Sequence, residues 1–134
     1  MASEFVLDAH ALLWFFEGNP KLGLAAREAM SQADAQLVIP AIALAEVCRV
    51  VAKGRTTIPS MQQLLTSIDK EQRMVVEPID RDLIGRSDGI NGINEMHDQL
   101  IVATVLRRRE KNSSVVLLCD DAQIRDSKLV STTW

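Results

Sequence analysis

Short apolar runs of strand length alternate along this chain with longer runs of helical period, which restricts it to the α/β class built on a parallel sheet. Strand-like runs fall at residues 5–7, 37–39, 74–76 and 115–118, with a weaker one at 129–132. Helical runs fall at 11–16, 22–35, 41–53 and 61–70, a short one starts at Asp80, and a strong one spans 98–111. Turn residues punctuate them: Gly18-Asn19-Pro20 stops the first helix, Pro40 closes the second strand, Gly54 ends the third helix and Ser60 caps the fourth. No repeat or linker interrupts the pattern, so residues 1–134 are expected to form one domain. That length buries roughly two thirds of the unfolded surface. With 47% hydrophobic and 25% charged residues the chain is not disordered. No run of roughly 18 apolar residues suits a membrane span. Cys48 and Cys119 lie in apolar stretches and Met1 to Phe5 lack a basic leader, so a cytoplasmic, disulfide-free protein is expected. The net charge of −3 argues against nucleic-acid binding by bulk positive charge, but leaves room for local cations or bound metal ions.

The informative feature is where the acids fall. Asp8 directly follows the first strand, and Asp121 follows the fourth in Leu117-Leu118-Cys119-Asp120-Asp121. In open parallel sheets the crevice beyond the carboxyl ends of the strands is where ligands bind. Glu46 lies between Ile42 and Val50 on an otherwise apolar helix face, where a carboxylate needs a partner. Asp98 opens its helix on the stripe of Ile101, Val102 and Val105, with Glu95 one turn earlier. Singly, each has an ordinary explanation: Asp8, Asp98 and Asp121 stand where helix N-caps are wanted, and Glu46 can pair with Arg49. Together, four carboxylates at one sheet edge repel unless cations intervene, and an all-oxygen ligand set suits Mg²⁺ or Mn²⁺. Asp120 and Asp126 stand as supporting acids.

Other constellations are weaker. His10 and His97 neighbour Asp8 and Asp98, but a lone histidine there more often caps or packs. No cysteine spacing fits zinc, and neither a glycine-rich phosphate loop nor a nucleophile elbow is present. Trp14, Phe15 and Phe16 read as core or a dimer surface rather than a base-stacking platform. Arg107, Arg108, Arg109 and Lys111 read as a solvated helix end that complements the helix dipole. Arg49 and Lys53 follow Glu46 on the same helix and are placed to contact phosphates beside an acidic site.

Four segments in order carry a family resemblance: Phe5-Val-Leu-Asp-Ala-His-Ala-Leu-Leu-Trp-Phe, Ile39-Pro-Ala-Ile-Ala-Leu-Ala-Glu-Val, Glu95-Met-His-Asp-Gln-Leu-Ile-Val-Ala-Thr-Val and Leu117-Leu-Cys-Asp-Asp-Ala-Gln-Ile. Over nearly its whole length the chain resembles the PIN-domain nucleases, most of all the VapC-type toxins of toxin–antitoxin pairs. The resemblance implies a three-layer α/β/α sandwich around a central parallel sheet. It also implies that Asp8, Glu46, Asp98 and Asp121 form the acidic quartet that binds Mg²⁺ or Mn²⁺. The implied activity is metal-dependent endoribonucleolytic cleavage, with RNA as substrate, an antitoxin protein as partner and a homodimer as the assembly. Two departures stand out: Gln99 occupies a place where the family often has Arg, and Cys119 one where it usually has Thr or Ser. Asp120 rivals Asp121 for the fourth place, and His10 falls where the family usually has a small polar residue. The competing reading is a catalytically silent scaffold of the same fold that binds RNA or a protein.

Overall fold

The computed structural model describes residues 3–134. In chain order the elements are β1 (Glu4–Leu7), α1 (Ala9–Glu17), α2 (Leu24–Met30), β2 (Gln36–Pro40), α3 (Ala41–Ala52), α4 (Met61–Lys70), β3 (Met74–Glu77), α5 (Arg81–Asp88), α6 (Met96–Arg109), β4 (Val116–Leu118), α7 (Ala122–Ser127) and β5 (Thr132–Thr133). The five strands make one sheet in the order β3-β2-β1-β4-β5, and every neighbouring pair is parallel.

The period-two geometry of a strand explains the layers. In β1, Val6 points into a core shared with Leu83, Ile101, Val102 and Val105 of α5 and α6. Its neighbour Leu7 points the other way, into a core with Leu12, Met30, Val47 and Leu64 of α1 to α4. Leu117 and Leu118 of β4 divide in the same manner, as do Val38 and Ile39 of β2. Both faces of the central strands are therefore covered, which is why their sequences are continuous apolar runs rather than alternating ones. The result is the expected three-layer sandwich around a parallel sheet.

Local boundaries differ from the sequence expectation where an unanticipated cap or turn intervenes. The helix expected over 22–35 is confined to α2, because residues 31–35 close as turns with Gln32 N–H donating to Ala29 O and Ala35 N–H to Gln32 O. The strong helix starts at Met96 instead of Asp98, since Glu95 Oε2 accepts from Asp98 N–H at 3.2 Å and takes the N-cap position. The last strand shifts from 129–132 to β5. Both cysteines are free thiols. Among the described residues no helix is long and apolar enough to cross a membrane.

The arginines at the end of α6 are not a solvated helix end. Arg108 Nε donates to Glu4 and its Nη1 to Glu77 Oε1 at 3.2 Å, while Arg107 reaches Glu77 Oε2 at 3.2 Å and Asp80 Oδ1 at 2.7 Å. Arg109 Nη1 donates to Leu129 O at 3.2 Å. Thus α6 runs back across the sheet, with its first turn at the carboxyl ends of the strands and its last turn tied to the start of β1.

Gly23 fixes a second long-range contact. A Cβ built there would lie 2.3 Å from the Trp134 carbonyl carbon and 2.7 Å from its ring, so only glycine lets the Trp134 backbone lie against the start of α2. Gly23→Ala is expected to displace Trp134 and to destabilise the chain by about 1–3 kcal/mol through overpacking. Tryptophan fluorescence and urea unfolding measure both effects, and unchanged values in both would show that the contact is dispensable.

Candidate functional site

Each carboxylate reaches the site from a different element. Asp8 follows β1 and its Oδ1 accepts from Ala11 N–H at 2.8 Å, capping α1. Asp121 caps α7 in the same way, Oδ1 accepting from Ile124 N–H at 2.9 Å. The capping explanation is thus correct for both, yet it uses one oxygen of each carboxylate and leaves the other uncommitted. For Asp98 it is not: Glu95 is the cap, and Asp98 lies in the first turn of α6. Glu46, on α3, pairs with no arginine; its Oε1 lies 3.9 Å from His97 Nδ1, which is closer, at 3.1 Å, to Glu95 Oε1.

These four side chains line one open cleft of about 340 Å³, together with His10, Trp14, Asp120 and Trp134. No Lys or Arg is among the residues that line it. Asp120 is exposed and paired with Arg125 at 3.1 Å, whereas Asp121 contributes to the charge felt by Asp8 and Asp98. Asp126 lies exposed on α7, away from the cleft lining.

The electrostatics follow from burial among like charges, which His97 and His10 oppose only in part. Burial raises the Asp8 carboxyl from its ordinary 3.8 to about 7; the Ala11 amide opposes the shift, and Asp98, Glu46 and Asp121 add to it. Glu46 is raised by burial, opposed by His97 and His10 and reinforced by Asp98 and Glu95. Asp98 is raised by burial, then by Asp121 and Glu95. Glu46 Oε1 is buried without a hydrogen-bond partner, a costly state for a carboxylate oxygen. Spare oxygens on Asp8 and Asp121, an orphaned one on Glu46 and a cleft lining without cations make a donor set suited to a hard divalent ion. Among the described residues no three acid, His or Cys side chains are gathered closely enough to form a finished coordination cage.

A second groove of about 330 Å³ adjoins the cleft and shares Ala9, His10 and Glu46 with it. Arg49, Lys53 and Arg55 line this groove, above an apolar floor of Leu13, Val47 and Val50. The family departures have simple structural counterparts. Gln99 Nε2 donates to Ile93 O at 2.7 Å, closing the loop before α6. Burial pushes the Cys119 thiol up to about 12, so it stays neutral beneath the acids.

Two lining residues escape a reading of the sequence as strands and acids. Trp14 packs against the core and also lines the cleft, a placement signalled by its spacing of four from His10 on one helix face. Trp134 carries no comparable signal, because long-range contacts bring it to the cleft: the pairing of β5 with β4, the packing against Gly23 and the edge of Trp14.

Comparison with known proteins adds the family. The model described as PIN domain matches residues 5–127. Among curated proteins none matches the sequence significantly. A toxin–antitoxin complex from Klebsiella pneumoniae is similar in structure at 19% identity and a TM-score of 0.62, covering 87% of this chain and 85% of that one. VapBC2 from Rickettsia felis, bound to a DNA fragment from its promoter, is similar at 13% identity and a TM-score of 0.63, with 97% of each chain covered. The RRP44 PIN domain of T. brucei is similar at 14% identity and a TM-score of 0.59, covering 98% of this chain and 76% of that one. At these identities the structural likeness establishes the fold.

Proposed function

We propose, from the premise that this chain belongs to the PIN domain family, that it is a metal-dependent endoribonuclease acting as the VapC-type toxin of a toxin–antitoxin pair in the cytoplasm. The observation that carries the reading is the convergence of Asp8, Glu46, Asp98 and Asp121, from four separate elements, on one cleft with no cation in its lining. These four would hold Mg²⁺ or Mn²⁺, and Asp8 and Asp121 would do so without giving up their helix caps. When bound, such an ion lowers the pKa of an attacking water and offsets charge developing on the scissile phosphate. The protein's own part is positioning. The helix caps hold Asp8 and Asp121 rigid, and the backbone of β1 and β4 sets their separation through the pairing of Leu7 with Leu118. Arg49 and Lys53 hold the phosphates on one side of the cut.

The partner reading rests on the same cleft. An acidic pocket without internal cations attracts an Arg or Lys side chain, and a small antitoxin inserting one there would block access. Two of the similar structures are described as toxin–antitoxin or VapBC assemblies, which supports this reading. A homodimer completes the proposal.

The test is cleavage of a mixed RNA pool with Mg²⁺, Mn²⁺ or EDTA. Glu46→Gln and Asp98→Asn are expected to lose cleavage by about 10²–10³-fold while remaining folded and binding RNA. Arg49→Ala and Lys53→Ala are expected to weaken RNA binding and to lower the salt dependence by about one counterion each. Full metal-dependent activity in both acid variants would overturn the site. RNA bound but left intact by the native chain in Mn²⁺ would favour the silent scaffold.

A further inference from the structure

The two histidines stand differently in the site. His97 is held between Glu46 and Glu95. The His10 ring instead stacks on Trp14, with centroids 4.9 Å apart and planes at 21°. Trp134 meets the edge of Trp14 at 5.8 Å and 62°, and Lys21 Nζ sits over the Trp14 ring 5.9 Å from its centroid. Trp14 is therefore braced on several sides, and His10, which is exposed, is the open end of the stack.

The position of that open end is informative. His10 lines both the carboxylate cleft and the basic groove. A strand with phosphates along Arg49, Lys53 and Arg55 and its scissile bond at Asp8 and Asp98 crosses the boundary formed by Ala9, His10 and Glu46, where His10 offers the aromatic face. A flat ring backed by an indole, at a bend between phosphate-binding and acidic surfaces, is suited to the π-face of a base.

We propose that His10, backed by Trp14, is a stacking shelf for one unpaired nucleobase of single-stranded RNA next to the cleavage point. The proposal rests on the ribonuclease reading and adds the element that selects unpaired substrate. In a duplex both faces of every base are covered by neighbours, so none is free to stack on His10. His10 here acts through its ring face, and no proton transfer or ligation is assigned to it.

The experiment measures binding of a short single-stranded RNA, in Mg²⁺, to full chains that carry Asp98→Asn so that the strand stays intact. Fluorescence anisotropy gives affinity and tryptophan emission reports stacking near Trp14; thermal melts check folding. His10→Ala is expected to weaken binding about five- to tenfold, His10→Gln by about the same factor, and His10→Phe by less than about twofold. A scan of abasic positions through the strand is expected to find one site at which the His10→Ala penalty disappears. Duplex RNA is expected to bind His10→Ala and the Asp98→Asn parent alike. His10→Phe binding as weakly as His10→Ala, or an abasic scan with no sensitive position, would overturn the shelf. Native chain run in parallel separates this from the underlying reading: intact RNA with Mn²⁺ counts against the nuclease, while the His10 series still reports on stacking.

Discussion

Asp8→Asn is expected to remove RNA cleavage by about 10²–10³-fold and, in the absence of metal, to make the protein more stable above neutral pH. The two effects share one cause. The Asp8 carboxyl has a folded value of about 7 against an ordinary 3.8, because it is buried beside three other acids. Between those two values the folded state binds a proton that the unfolded state has released. Stability present at low pH is therefore lost progressively as pH rises from about 4 through about 7. The full shift corresponds to about 4 kcal/mol, and solvent access to the open cleft reduces the expected loss to about 2 kcal/mol. Glu46 and Asp98 shift in the same direction and steepen the profile. Asparagine keeps the oxygen that accepts from Ala11 N–H and removes the charge, so the cap survives and the pH dependence flattens. Mn²⁺ should act in the opposite sense, raising the melting temperature of the native chain more at high pH, where the carboxylates are ionised, and raising that of Asp8→Asn little. Thermal melts with EDTA and with Mn²⁺ across this pH range check both halves. Coincident metal-free pH profiles for the two proteins would mean that Asp8 is well solvated.

Arg108→Ala is expected to destabilise the fold by about 2–3 kcal/mol, well beyond the usual cost of losing a surface ion pair. Its partners Glu4 and Glu77 keep only 13% and 12% of their side-chain surface, and Arg108 itself 20%. Removing the guanidinium leaves Glu4 with a long contact from Asn112 Nδ2 at 3.4 Å, and leaves Glu77 to Arg107 alone. The strain arises from an uncompensated half-buried charge, so Arg108→Met combined with Glu4→Gln should recover much of the loss. Urea unfolding of the single and double variants measures the coupling. A loss below about 0.5 kcal/mol for Arg108→Ala would mean that the network is solvated.

That network shows where the sequence stops being informative. The parallel sheet was legible because strands buried on both faces are written as unbroken apolar runs, and two acids of the cleft stood out because Asp8 directly follows one such run and Asp121 lies three residues after another. The arginines at the end of α6 carry a complete local explanation in the helix dipole, while Glu4 and Glu77 lie far away in sequence and send no signal to that helix. The first turn of α6 failed for a related reason. Aspartate is the better cap by preference, but the register that buries Leu100 and Ile101 puts Glu95 at the start, and Asp98 is left for the cleft. Trp14 does pack against the core, as an apolar block at helical spacing suggests, but one edge of it also lines the cleft beside His10, which that spacing alone does not show.

The strand order has a consequence in time as well as in space. β1 lies at the centre of the sheet, and its far-side neighbour β4 comes from much later in the chain, with Phe5 opposite Val116. Parallel pairing over such a separation closes slowly, because the loop entropy is met before the contacts that offset it form. The chain emerging during synthesis can assemble β1, β2 and β3 with Asp8 and Glu46 in place, but Asp98 and then Asp121 arrive only with α6 and β4. Half the acidic cluster thus lies in the chain after the first three strands. A chain with this topology therefore completes its set of acids only after β4 has paired with β1.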